Sequence, residues 1–230
     1  MRYKDMIEGI FLKRPNRFIA HVMIEDREEI CHVKNTGRLG ELLIPGARVL
    51  LEPADSPGRK TKFSLICVEK DGAWVNIDSQ VVNEIAADWI REGKFLSDVR
   101  YLKREKTYGS SRFDLYAETE EERWFIEVKG VTLVSDGVAM FPDAPTERGV
   151  KHVEELITCR QDGYRTAILF VIQRKGVTYF MPHITRHPAF AQALKKASLA
   201  GVEILAVDCL VDEYGIEIDQ RIPVKIESAD

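Results

Sequence analysis

The stretch Arg112–Val131, RFDLYAETEEERWFIEVKGV, decides the fold of the larger part of the chain. Arg112–Glu118 and Trp124–Val131 are rich in the apolar, aromatic and β-branched residues that favour strands. Between them, the polar and acidic residues Thr119–Glu122 supply a turn. The stretch therefore predicts two adjacent strands of one sheet.

Acidic residues of these two strands are predicted to face one side of the sheet. Because alternate residues of a strand face opposite sides, we expect Phe113 and Leu115 to face the core and Asp114 to face away from it. On the next strand, the same alternation places Glu127 and Lys129 side by side. The two carboxylates are therefore predicted to lie close together.

This arrangement predicts a metal site with catalytic chemistry. Asp114, Glu127 and the main-chain carbonyl of Val128 offer the oxygen ligands that Mg²⁺ or Mn²⁺ prefers. Glu105, on the preceding strand, is the natural third carboxylate. Lys129 is placed to orient or deprotonate an attacking water, which is the chemistry of phosphodiester hydrolysis. The alternative is that both acids only pair with basic neighbours on a solvated sheet face.

The surrounding elements predict an α/β domain with a mixed central sheet over residues 81–230. A strand, Val99–Lys106, precedes the pair, and a helix, Thr146–Asp162, and a fully apolar, hence central, strand, Arg165–Gln173, follow it. A helix begins the domain, since apolar residues recur there at helical spacing: Val82, Ile85, Ala86, Trp89 and Ile90. This order resembles that of the PD-(D/E)xK nucleases.

Residues 1–80 predict a separate OB-fold β-barrel that binds nucleic acid. Short strand-like runs alternate there with turn segments such as Pro53–Gly58. One short helical stretch, Leu39–Leu43, is expected to interrupt them and to end at Pro45-Gly46.

Charge is distributed unevenly along the chain. The net charge of -4 and the isoelectric point near 5.8 argue against nucleic-acid binding by bulk electrostatics. A local basic stripe nevertheless lies between Arg100 and Arg112, and the helix that follows has a polar face for which an ordinary solvated role is the open alternative. The predicted DNA contacts are Arg38, Arg100, Lys103, Arg104, Lys106, Arg112, Arg148, Lys151 and His152.

Cysteine spacing and hydropathy exclude several classes of protein. The four cysteines lie far apart and form no C-x-x-C pair, so we expect buried free thiols. No apolar run approaches the roughly 20 residues that a membrane span needs. We therefore expect a cytoplasmic protein with DNA as its partner and no membrane contact, and leave a homodimer as an open alternative.

Four stretches carry a family resemblance: Asn35–Leu39, Glu105–Asp114, Phe125–Lys129 and Phe141–Gly149. Together, and in this order, they resemble the sugar fermentation stimulation (SfsA) family. The resemblance implies an OB-fold followed by a restriction-endonuclease-like domain, and DNA binding without marked sequence preference. It also implies a regulatory link to sugar metabolism.

The resemblance also bears on the candidate site. Asp114, Glu127 and Lys129 match the core of the PD-(D/E)xK superfamily, and Glu105 matches the acid upstream of it. Two functions follow as expectations: a sequence-tolerant DNA-binding protein with a regulatory role or, alternatively, a Mg²⁺-dependent nuclease. A structural or sugar-sensing protein is the third class, for which the sequence shows no pocket signature.

Overall fold

A computed structural model describes residues 1–54 and 58–226, so the turn predicted over Pro53–Gly58 lies partly outside the described residues. The first part of the chain forms six strands: β1 (Ile7–Asn16), β2 (Ile19–Ile24), β3 (Arg27–Val33), β4 (Arg48–Pro53), β5 (Phe63–Lys70) and β6 (Ala73–Asn76).

The strands β1 to β5 close into a barrel. They pair in the order β3-β2-β1-β4-β5, and a parallel pairing of β3 with β5, with Cys31 opposite Phe63, joins the two ends. Inward-facing residues such as Val22 and Leu51 fill the interior. The OB-fold prediction is confirmed.

The prediction of a short helix over Leu39–Leu43 is wrong. The segment forms only a turn, in which the Leu43 N–H donates to the Leu39 carbonyl at 2.8 Å. Leu39 has a positive φ of 50°, a conformation outside the helical region. Five residues also supply too few hydrogen bonds to offset the cost of helix nucleation.

The second part of the chain is an α/β domain with three helices and nine strands among the described residues. Its elements are α1 (Val82–Arg91), β7 (Tyr101–Tyr108), β8 (Ser111–Glu118), β9 (Arg123–Val131), β10 (Val134–Ser135), β11 (Val138–Phe141), α2 (Glu147–Gln161), β12 (Arg165–Ile172), β13 (Tyr179–Pro182), α3 (Pro188–Leu199), β14 (Glu203–Val211) and β15 (Ile216–Ile222).

A mixed sheet forms the centre of this domain, as predicted. Its order is β15-β14-β12-β9-β8-β7, in which β9, β12 and β14 are parallel and the other neighbours are antiparallel. The apolar strand β12 is central. A small second sheet, β10-β11-β13, was not predicted, because strands of two to four residues are too short to show a period.

Helices cover both faces of the mixed sheet. On one face α1 buries the apolar residues predicted from its spacing. On the other face lie α2 and α3. The buried residues of α2 are Gly149, His152, Val153, Leu156 and Cys159.

The barrel and the α/β domain share one apolar core. Leu50 and Ile66, on the outer side of the barrel, pack in the same cluster as α1 and the sheet. Buried hydrogen bonds cross the same boundary: the Gln173 side chain donates to Asn76 Oδ1 at 2.9 Å and to the Asp78 carbonyl at 3.0 Å. The barrel is thereby fixed against the carboxyl ends of β9 and β12.

All four cysteines are buried and free, which confirms the prediction from their spacing. Within residues 1–54 and 58–226, no helix combines the length and the apolar character that a membrane crossing requires.

Candidate active site

The candidate site lies where β8 and β9 separate. Their pairing runs from Glu118 opposite Arg123 to Leu115 opposite Ile126 and goes no further. Beyond that point the Val128 N–H donates at 2.8 Å to Asp114 Oδ2 rather than to a strand neighbour. The separation opens a gap lined by an acidic side chain and the β9 backbone.

The separation also changes which way β8 side chains face. Phe113 and Leu115 were predicted on one face, but Phe113 packs beneath α2 and α3 while Leu115 packs beneath α1. At the same point the β7–β8 pairing omits Asp114 and Glu105, and Glu105 has a φ of 58°. The alternation rule fails there because it assumes regular strand backbone.

Asp114 is held by donors from two elements. Its Oδ1 accepts from the Asn83 side chain of α1 at 2.8 Å, and its Oδ2 accepts from the Val128 N–H. Burial, together with the negative charge of Glu127, raises the pKa of Asp114 above its ordinary value. Asn83 was not among the predicted residues, and a single polar residue at the start of an amphipathic helix gives no signal for this role.

Glu127 is 2% exposed, and both of its identified partners bind the same oxygen. His152 and Lys129 hydrogen-bond to Oε1, whereas Oε2 is buried without a hydrogen-bond partner among the described residues. Burial alone would raise the pKa of Glu127, but the hydrogen bond from His152 and the charge of Lys129 outweigh it, so the pKa lies below its ordinary value. Glu127 is therefore an anionic side chain with one unused oxygen.

His152 was predicted as a surface contact to phosphate, and the structure contradicts that exposure. The ring is 5% exposed and packs against Phe113. Its Nε2 accepts from Arg148 Nε at 3.4 Å, which leaves Nδ1 to donate to Glu127. The residue shares the core side of α2 with Gly149 and Leu156, a spacing of three and four residues that could have indicated burial.

Glu105 does not reach the other acids. Its side chain is 61% exposed and lies 3.6 Å from Arg112. Among the described residues, no group of three or more His, Cys, Asp or Glu side chains is arranged to hold a metal. The third acid therefore stands apart from the other two, because the positive φ at Glu105 interrupts the alternation that would have placed it beside them; its role as a ligand stays a prediction.

The remaining groups fit a hard divalent cation. The unpartnered Glu127 Oε2 and the Asp114 carboxylate are oxygen donors. The Val128 carbonyl faces the same gap, because the N–H and C=O of one strand residue point to the same neighbouring strand. Mg²⁺ is commonly held by one or two carboxylates together with waters and substrate phosphate, so three protein oxygens suffice.

The predicted basic stripe lies mainly on β7, the edge strand of the sheet, with Arg100 directly before β7 and Arg112 on β8. Arg100, Lys103 and Arg104 are exposed, and Arg100 pairs with Glu120 at 3.0 Å. Lys106 is half-buried over the Tyr116 ring. Neighbouring strand residues face opposite sides, so the stripe presents cations on both sides of this edge.

The other predicted DNA contacts are also at the surface, apart from His152. Arg112, Arg148 and Lys151 are exposed, with Lys151 3.9 Å from Glu155. Arg38 is exposed on the barrel, where its carbonyl accepts from Arg14 at 2.8 Å. These positions are accessible to a nucleic-acid backbone.

A closed OB barrel followed by a mixed-sheet α/β domain defines the class of this protein. Two family models match it: "SfsA N-terminal OB domain" over residues 12–77 and "Sugar fermentation stimulation protein RE domain" over residues 80–215. The chain belongs to the sugar fermentation stimulation protein family.

Named relatives match over nearly the whole length. Sugar fermentation stimulation protein homologs of Ruminiclostridium cellulolyticum and Clostridium beijerinckii are each 53% identical to this chain. The matches cover 98% and 97% of this chain and 100% and 99% of those proteins, respectively. The solved structure of Pyrococcus furiosus SfsA in complex with Ca²⁺ has a TM-score of 0.89 at 34% identity and covers 98% of both chains.

Proposed function

We propose that the protein binds DNA with little sequence preference and cleaves its phosphodiester bonds at the β8–β9 site with Mg²⁺ or Mn²⁺. One observation carries the proposal: the buried Glu127 and the half-buried Asp114 and Lys129 lie together where two strands separate, each acid with its own supporting residue. Burying charge is costly unless its partners are in place, so a surface salt bridge does not account for this arrangement.

The metal would be held by Asp114, Glu127 and the Val128 carbonyl. When bound, it stabilises the negative charge that builds up on the phosphate during displacement. A relative with the same fold was solved with Ca²⁺, and calcium, like magnesium, prefers oxygen ligands. Both points support a divalent cation as the cofactor of this chain.

Three side chains of the protein have further roles. Lys129 Nζ, beside Glu127 and 17% exposed on its side chain, is placed to donate to a phosphate oxygen and to orient the attacking water. His152 holds Glu127 through Oε1 and so leaves Oε2 for the metal. Asn83 fixes Asp114 in the same way from the opposite face of the sheet.

DNA would be held along its backbone. The exposed cations on β7, with Arg112, Arg148, Lys151 and Arg38, suit phosphate oxygens rather than base edges. Phosphate contacts carry no sequence information, so the expected binding is tolerant of sequence and weakens as salt increases.

A second candidate is a DNA-binding regulator linked to sugar metabolism, in which the metal only docks DNA. The names of the relatives support its link to sugar metabolism. The two candidates share the DNA-binding surface and differ in whether the bound strand is cut.

A cleavage assay on single-stranded, double-stranded and bulged DNA separates the two. We expect products in Mg²⁺ or Mn²⁺ that disappear in Asp114→Ala. The regulator instead predicts intact DNA and Mg²⁺-strengthened binding that requires both acids. A protein that neither cleaves DNA nor binds the metal through these acids would contradict both candidates.

A further inference from the structure

A cleft between the barrel and the α/β domain adjoins the candidate site. It has a volume of about 340 Å³ and begins at Gly130, the residue that follows Lys129 on β9. The barrel contributes Asn35–Gly37, and the α/β domain contributes Met140–Thr146 opposite. Its size is in the lower range of small-molecule sites.

Both sides of the cleft are built rigidly. The Arg14 guanidinium donates to the carbonyls of Asn35, Gly37 and Arg38 at 2.7 to 2.8 Å, which fixes the barrel side. On the other side, Arg186 donates to the Asp143 carbonyl at 2.8 Å. A preformed site loses little entropy when a ligand binds.

The lining carries a single charged residue, and that residue is acidic. Asp143 lies in the cleft, whereas no lysine or arginine lines it. The Asp143 carboxylate forms no hydrogen bond or ion pair among the described residues, although Gly37 packs closely against it. A phosphate group would be repelled here, so the suitable ligand is an uncharged group with hydrogen-bond donors.

Both polar and apolar groups line the cleft. Thr36 and Thr132 add hydroxyl groups that are free of internal hydrogen bonds in the described part of the chain, while Leu39 and Met140 add apolar surface. A nucleobase matches this combination, because it has an apolar face and a polar edge. Exocyclic amino groups of cytosine and adenine donate hydrogen bonds, and a carboxylate accepts them.

We propose that the cleft binds one unpaired nucleobase next to the phosphate held at the candidate site, and that Asp143 favours bases with an amino group. The inference rests on the proposed DNA-cleaving function and adds a substrate requirement to it. A base within a duplex enters only after it is unpaired and unstacked, which costs free energy, so the preferred DNA has an unpaired nucleotide, as in a bulge or single strand.

The test measures binding of duplexes that differ at one bulged position. Fluorescence anisotropy in EDTA, with no metal and no cleavage, compares bulged cytosine, adenine, thymine and an abasic residue with a fully paired duplex. We expect wild-type protein to bind the cytosine bulge about tenfold more tightly than the abasic bulge. Thymine should fall between them.

Two variants and a control locate the effect. Thr36→Trp, at an exposed lining position, should fill the cleft and make all bulges bind like the abasic duplex. Asp143→Asn should remove the advantage of cytosine over thymine. Glu154→Gln removes the same charge from the exposed side of α2 and should keep that advantage.

Failure of this inference is distinguishable from failure of the proposed function. If wild-type protein binds every duplex with equal affinity, the cleft does not take a base, although DNA binding stands. Retention of the cytosine preference in Thr36→Trp, with an unchanged melting temperature, would also overturn it. If no duplex binds, the proposed function itself is wrong.

Discussion

The acidic site and the basic edge strand hold their charges in opposite ways. Glu127 is 2% exposed and its side chain is held by His152 and Lys129, whereas Lys103 and Arg104 on β7 are exposed and have no internal partner among the described residues. A buried charge costs several kcal/mol unless it is paired, but an exposed charge costs almost nothing. The burial of Glu127 is therefore stronger evidence for a function than the exposure of Lys103 and Arg104.

The largest effect is expected at the acids. Asp114→Ala and Glu127→Ala should each lower cleavage about 10³-fold or more, because each removes a metal ligand and the stabilisation of the reacting phosphate. DNA binding in EDTA should remain within about twofold, since the basic contacts are elsewhere. Gel-based cleavage and anisotropy measure the two. If the two variants lost DNA binding as severely as cleavage, the acidic site and the basic edge strand would not have separate functions.

The supporting residues should have a smaller effect. His152→Ala and Asn83→Ala should each reduce metal affinity and cleavage about 10- to 100-fold, since ligands lose their fixed orientation. Calorimetric titration with Mn²⁺ measures the affinity directly. Glu154→Gln, at an exposed position of α2 outside both the site and the DNA-binding surface, is the control and should change neither. A normal Mn²⁺ affinity in both supporting variants would show that the acids need no such support.

Charge reversal on the edge strand should weaken DNA binding uniformly. Replacing Arg100, Lys103 and Arg104 with Glu should reduce affinity about tenfold or more for all sequences, and should make binding less dependent on salt. Anisotropy at several salt concentrations tests this. Unchanged affinity and salt dependence would place the DNA-binding surface elsewhere.

The smallest effect is expected at Glu105, the exposed acid. Glu105→Gln should change Mn²⁺ affinity by less than about twofold, because its partner is Arg112 and exposed ion pairs contribute little. The same titration provides the measurement. A large loss of affinity would mean that Glu105 moves to the metal on binding, as the strand alternation first indicated.

The sequence predicted those features that follow from a regular repeat. The apolar spacing of α1, the central position of β12 and the shared face of Glu127 and Lys129 all follow from helix or strand periods. Features that depend on tertiary structure could not be obtained in this way. The positive φ at Glu105 and the packing of Phe113 and Leu115 on opposite faces of the sheet could not be predicted from a local sequence pattern.

The role of His152 and the interdomain cleft also could not be predicted from the sequence. On α2, the polar pattern suggested a solvated face, but packing against Phe113 and Glu127 decided the burial. The cleft joins Asn35–Gly37 to Met140–Thr146, which are distant in sequence. Both stretches overlap motifs that carried the family resemblance, yet only the folded chain shows that they face each other.

The core shared between the barrel and the α/β domain has a consequence for folding. Leu50 and Ile66 lose their apolar partners if the barrel detaches, and Gln173 loses its acceptor on Asn76. Exposed apolar surface and unpaired buried amides both cost free energy, so separation and unfolding should coincide. The two domains are then one cooperative unit, which melts in a single calorimetric transition despite containing two architectures.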